Sequence, residues 1–209
     1  MKEKKVKYQL RTINKIVFFG FADAKQRGLT YKNAFSCAQF LAQKGYTIVN
    51  GGGPGVMRAA TSGAKAANGK TIGVTFYPKE IVSFEGRDEK NFIDREIVAR
   101  NYLERTMKLL EIGDCYVIFR GGTGTISEFG MAWGLAKLYF GHHKPLILYG
   151  KFWEEIIAAF KKHMNIRPTE LKVFRTVSSP KETLEALNYF ENLINRKKHK
   201  HLSEKTLQI

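Results

Sequence analysis

Short apolar runs and longer stretches of helical period alternate along this chain. The runs at 16–20, 46–50, 71–76, 115–119 and 145–150 are rich in Val, Ile, Tyr and Phe and have the length of buried strands. Between them lie amphipathic stretches that predict helices at 30–44, from the glycine turn at 51–55 to about 67, at 94–112, at 129–139 and at 152–164. Thr30 is the expected cap of the first helix and Gly45 its stop. Residues 173–177 predict a short last strand. Ser179-Pro-Lys-Glu182 then combines a capping box with proline at the first helical position, opening a helix to about 194. The connection 77–92, with Pro78, Gly86 and many charges, reads as a surface loop near the site. Strict β/α alternation without an internal repeat predicts one α/β domain: a Rossmann-like, doubly wound parallel sheet in a three-layer α/β/α sandwich. Its expected bounds are 14–194, with a basic extension at 1–13 and a basic tail at 195–209.

Composition narrows the function classes. A chain of 209 residues, 44% hydrophobic and 26% charged, can bury an ordinary soluble core. No stretch has the length and apolarity of a membrane span, and the lysine-rich start has no apolar segment behind it. Cys37 and Cys115 sit in apolar contexts and read as buried, reduced thiols, so the expected compartment is the cytoplasm. The net charge is +16, but much of the excess lies in the two ends. Zinc-ligand spacing, RNP-type aromatic strands and heptads behind a basic region are all missing, so nucleic acid is not the expected partner. His142, His143, His163, His199 and His201 show no metal-ligand spacing and read as solvated surface groups.

The candidate chemistry sits in Arg120-Gly-Gly-Thr-Gly-Thr-Ile-Ser-Glu128, between an apolar strand and a helix. Glycine lets a backbone approach an anion closely, and the first amides of a helix point at it with partial positive charge. Gly20 and the turn at 51–55 fall at other strand ends, where ligands of open α/β sheets bind. The dinucleotide fingerprint is absent, because Ser127 stands where its last glycine would be. Gly69-Lys70-Thr71 is no P-loop, since Ala64 occupies the first glycine position and a strand follows. Gly20, Gly52, Gly53, Gly55, Gly121, Gly122, Thr123, Gly124 and Thr125 are the candidates for holding a phosphate. Met57 is read as a core residue lining a base pocket.

Two charged residues complete the candidate site. Thr125-Ile-Ser-Glu128 has capping-box spacing, so Glu128 can be a cap, a catalytic carboxylate, or both. At a helix start its carboxyl is expected to stay ionised, which would make it a poor general acid. Val98, Arg105, Leu109 and Ile112 fall on one side of the predicted helix, which leaves Arg105 as a charge on an apolar face in need of an anion.

The signature resembles the Pro-Gly-Gly-x-Gly-Thr-x-x-Glu motif of the Lonely Guy (LOG) family of phosphoribohydrolases. Gly51-Gly-Gly-Pro-Gly-Val-Met57 and the Phe18-Phe19-Gly20 strand end are similar to further parts of that family. Arg105 stands sixteen residues before Gly121, at the place of the family's catalytic arginine. The resemblance implies hydrolysis of the N-glycosidic bond of a nucleoside 5′-monophosphate, such as AMP or a cytokinin-type nucleotide, to free base and ribose 5-phosphate. Arg105 and Glu128 would be catalytic, no cofactor would be needed, and a homodimer or larger homo-oligomer would form, with the helix bearing Trp133, Tyr139 and Phe140 as a natural contact. Departures are Arg120 for the motif proline, Ser127 for a second glutamate, and Arg58 after Met57. Arg120 is expected to add positive charge beside the phosphate turn. The rival reading is a non-catalytic carrier of a nucleotide or molybdopterin-type ligand on the same fold. Nothing supports the lysine decarboxylase label some relatives carry, because no lysine is marked out for a pyridoxal cofactor.

Overall fold

A computed structural model describes residues 12–78 and 86–206. The chain runs β1 (Lys15–Phe19), α1 (Leu29–Gln43), β2 (Thr47–Asn50), α2 (Val56–Ala66), β3 (Thr71–Thr75), β4 (Arg95–Val98), α3 (Tyr102–Ile112), β5 (Cys115–Ile118), α4 (Thr123–Leu138), β6 (Leu146–Tyr149), α5 (Phe152–His163), a 3-10 turn (Pro168–Val173), β7 (Phe174–Val177) and α6 (Pro180–Thr206). All seven strands pair in parallel, in the order β4-β3-β2-β1-β5-β6-β7. The order reverses between β1 and β5, so the loops leaving these two strands diverge and open a crevice.

Strands buried on both faces need two apolar layers, and the chain supplies both. One core packs α1, α2 and α6 against Ile16, Phe18, Ile48 and Val117. The other packs α3, α4 and α5 against Val17, Phe19, Val49 and Ile118. Alternate residues of one strand thus serve opposite layers, as the two-residue period of a strand requires. The single-domain, doubly wound, three-layer expectation matches the fold.

Several local expectations are corrected. The first helix starts at Leu29 with Gly28 at its cap position and no side-chain cap bond, so Thr30 lies inside the first turn. The predicted helix at 94–112 divides into an edge strand and a shorter helix. The Asp94 carboxylate takes the Thr71 amide at 2.8 Å and its hydroxyl at 2.9 Å, which ties the start of β4 to β3. Asn101 then caps α3 by accepting the Glu104 amide at 2.8 Å. Val98 therefore belongs to a strand and is exposed. The box at α6 forms in shifted register: Glu182 N–H donates to Ser179 Oγ at 3.2 Å, while the Glu182 carboxylate accepts from Ser178 N–H at 2.8 Å. The backbone of α6 stays helical to Thr206, beyond the expected end near 194. The N-terminal extension falls outside the described residues, apart from its last two positions. His143 is buried against Phe140 and Phe190 and is no surface group; His142 and His163 are exposed.

Helices α1 and α2 pack backbone against backbone at Gly63. A Cβ on Gly63 would stand 2.1 Å from the Phe35 carbonyl oxygen, so the two backbones meet at a bare Cα. Gly63→Ala should therefore destabilise the fold by ~1–3 kcal/mol, read as a lower urea midpoint, although alanine is the better helix former.

Candidate functional site

The crevice holds a cavity of about 540 Å³. Its walls come from the end of β1 (Phe19, Gly20, Phe21), the turn into α2 (Gly51, Met57), α3 (Tyr102, Arg105) and the first turns of α4 (Gly122 to Thr125, Ser127, Glu128). Of the residues predicted from sequence, the structure brings Gly20, Met57, Arg105, Gly122, Thr123, Gly124, Thr125 and Glu128 to this wall. Gly51, Phe21, Ala22, Tyr102 and Ser127 also line it and were not predicted as site residues. A signal for Tyr102 existed, because it stands three residues before Arg105 and so shares its helix face.

Gly122 occupies the cap position of α4 and Ile126 N–H makes the first helical bond, to Gly122 O at 3.0 Å. The amides of Thr123, Gly124 and Thr125 thus precede the hydrogen-bond ladder at the wall of the cavity, where an anion would gain both their donors and the helix dipole. Glu128 is the sixth residue of α4, so Thr125 and Glu128 form no capping box and Glu128 is not held by a helix end.

Arg105 and Glu128 face one another, with Nη1 3.7 Å from Oε1, and each side chain is more than nine-tenths buried. Arg105 Nε donates to the Val74 carbonyl at 3.1 Å and Nη2 lies 3.4 Å from Met57 Sδ. Met57 is therefore a direct contact of the arginine as well as a cavity residue. Gly51 makes this placement possible, because a Cβ there would fall 1.4 Å from Nη2. Burial pushes the Glu128 carboxyl up to about 7, and the nearby Arg105 cation only partly opposes that rise. The expectation of a firmly ionised carboxylate is thereby corrected. Desolvation outweighs the attraction of the Arg105 cation, and the group can donate or accept a proton near neutral pH.

The first glycine turn is tied down by hydrogen bonds from and to neighbouring segments. The Gly52 amide is taken by Asn50 Oδ1 at 2.8 Å, and its carbonyl accepts the Asp88 amide at 3.0 Å. Gly53 O accepts from Asn91 Nδ2 at 2.8 Å, and a Cβ on Gly55 would meet the carbonyls of Phe21 and Ala22. Gly52, Gly53 and Gly55 do not line the cavity; they are engaged in holding the turn. Gly121 is also off the wall, packed against Thr125. The side chain of Arg120 turns onto the Phe152 ring, 4.6 Å from guanidinium carbon to ring centroid, and does not line the cavity. The part of the 77–92 connection at 79–85 lies outside the described residues. Among the described residues no group of three or more His, Cys, Asp or Glu is placed to hold a metal.

A carboxyl raised from 4.5 to about 7 keeps, in the folded state, a proton that the unfolded chain has released. Raising the pH through that window therefore subtracts stability, and the loss is complete above the folded value. Carbon-13 NMR titration of the Glu128 carboxyl should show a midpoint near 7, moving higher in Arg105→Met as the opposing cation is removed. A wild-type midpoint near 4.5 would contradict the desolvated site.

Comparison with known proteins places this geometry. A Mycobacterium tuberculosis protein named cytokinin riboside 5′-monophosphate phosphoribohydrolase is 36% identical over 110 residues, covering 52% of this chain and 56% of the relative. The match thus spans little more than half the length of that relative. An uncharacterized protein of Archaeoglobus fulgidus is 28% identical over 121 residues, covering 58% of this chain and 76% of its own. Among solved structures, the molybdenum cofactor binding protein of Rippkaea orientalis superimposes with a TM-score of 0.62 at 24% identity, over 87% of this chain and 99% of that one. DNA processing protein A from Helicobacter pylori gives 0.58 at 16% identity, over 85% and 81%. These two likenesses show a shared fold. The model of the SLOG cluster4 family matches residues 14–175, and the chain belongs to that family.

Proposed function

We propose that the chain is a phosphoribohydrolase that cleaves the N-glycosidic bond of nucleoside 5′-monophosphates, yielding a free base and ribose 5-phosphate. The observation that carries this reading is the buried Arg105–Glu128 pair, set in one cavity with the helix start of α4. The phosphate sits on the amides of Thr123, Gly124 and Thr125, whose dipole favours a dianion. The ribose lies over Arg105 and Glu128. As the bond to the base breaks, positive charge grows on the sugar and the Glu128 carboxylate stabilises it in a site of low dielectric. Water then attacks the anomeric carbon and gives its proton to Glu128, while the departing base takes a proton from solvent, to which Glu128 later returns the one it gained. A carboxyl with a pKa near 7 suits that exchange better than a permanently ionised one. No cofactor enters the scheme. The named mycobacterial relatives support the reaction class.

Incubation with AMP, GMP, CMP, UMP and isopentenyl-adenosine monophosphate should release free base from at least one of them. Glu128→Gln should bind the same nucleotide and lower turnover by ~100-fold or more. Binding without release from any of the five would replace the hydrolase with the carrier.

The active protein is proposed to be a homodimer joined through α4. This helix is apolar around most of its circumference and leaves Ile126, Leu138 and Tyr139 exposed, with Leu103 and Met107 of α3 exposed as well. A helix apolar on nearly all sides needs cover from a partner. A second copy of this chain is the proposed cover. Buried thiols at Cys37, pushed up to about 12 by burial, and at Cys115 fit a reducing cytoplasm. Leu138→Glu should convert a dimeric sedimentation profile into a monomeric one without changing far-ultraviolet circular dichroism.

A further inference from the structure

Three fully buried polar side chains stand behind the first glycine turn, where an apolar core would be expected: Asn50, Thr61 and Asn91. They form a chain of bonds. Asn91 Nδ2 donates to Gly53 O at 2.8 Å and, more weakly, to Asn50 Oδ1 at 3.4 Å. Asn50 Oδ1 also accepts the Gly52 amide at 2.8 Å, and Asn50 Nδ2 donates to Thr61 Oγ1 at 2.8 Å. Buried amides are costly unless satisfied, and Asn91 Oδ1 has no hydrogen-bond partner among the described residues. Such a network specifies one backbone geometry, here that of residues 51–53, at the expense of apolar packing.

That turn is the surface on which the guanidinium of Arg105 rests. Gly51 Cα meets Nη2 at a distance that excludes any side chain, and Met57, just beyond the turn, contacts the same nitrogen. Arg105 Nε also donates to the Val74 carbonyl, which holds the stem of the side chain, and the guanidinium carbon lies 5.9 Å from the Tyr102 ring centroid. Asp88 and Arg87 also bind the Gly52 carbonyl, at 3.0 and 3.3 Å, so the whole segment 86–91 is laid against the turn. Asn91 is its buried anchor.

We infer that Asn91 and Asn50 are positioning residues of the hydrolytic site: acting through the 51–53 turn, they hold the Arg105 guanidinium against Glu128 and the cavity. The inference rests on the proposed reaction for its kinetic consequence but not for its structural one. Among the described residues Arg105 is the charged group placed against Glu128, so the Glu128 carboxyl is a local sensor of where the guanidinium sits.

The test is carbon-13 NMR titration of Glu128 in the full-length protein, for wild type, Asn91→Ala, Thr61→Val and Arg105→Met. Asn91→Ala should move the Glu128 midpoint upward, in the direction of Arg105→Met, because the cation retreats from the carboxylate. Thr61→Val, which keeps side-chain shape but removes the support of Asn50, should move it the same way by less and decides the matter if Asn91→Ala does not fold. In nucleotide hydrolysis, Asn91→Ala should lower kcat by ~10-fold or more while KM stays within ~2-fold, as expected for a misplaced catalytic group. An unchanged Glu128 midpoint in both folded variants would overturn the inference, even if activity fell. The titration needs no turnover, so loss of the hydrolase reading through an active Glu128→Gln would leave this test standing and separately readable.

Discussion

The site depends on an arginine and a glutamate kept out of water and within reach of each other, at the one place where the sheet changes direction. Burying either charge alone would cost several kcal/mol, so the fold must deliver both to the same spot. It does so with α3, which follows the edge strand, and α4, which follows the central strand β5. The pair is 3.7 Å apart, long for a hydrogen-bonded bridge, and desolvation governs the carboxyl more than attraction does. The result is a carboxyl near its midpoint at neutral pH beside a permanent cation, a combination suited to proton exchange.

Two glycine-rich turns flank this pair and do different work. The turn before α4 opens its first amides toward the cavity. The turn before α2 closes its own amide with Asn50 and presents a bare Cα to Arg105. A bare Cα is required at Gly51, whereas a Cβ on Gly122 would meet open space. The cation of Arg120, conspicuous beside the signature, lies over the Phe152 ring, and among the described residues the charged side chains on the cavity wall are Arg105 and Glu128.

Much of the scaffold was legible because strands buried on both faces leave continuous apolar runs and parallel connections demand helices between them. The alternation predicted the sheet class, the two apolar layers and the crevice at the strand ends. It missed β4, whose Arg-Glu-Ile-Val sequence carries two charges and lies at an exposed edge where no apolar run is required. Pairing with β3 and the Asp94 bonds to Thr71, contacts distant in sequence, made that segment a strand. The capping role that the spacing allowed for Glu128 is absent for a related reason. Box spacing is a local rule, whereas the start of α4 at Thr123 places that glutamate deeper in the helix.

Residue types and spacing alone determined that a glycine-rich signature follows a buried strand, that Arg105 lies on an apolar helix face, and that one α/β domain carries both. Only the tertiary structure decided that Arg105 and Glu128 share one cavity, that the first glycine turn abuts the arginine and gives its Gly52 amide to Asn50, and that burial pushes the Glu128 carboxyl up to about 7. The reason is physical. Periodicity and turn chemistry act between near neighbours in sequence, but desolvation and charge pairing depend on which distant segments exclude water together.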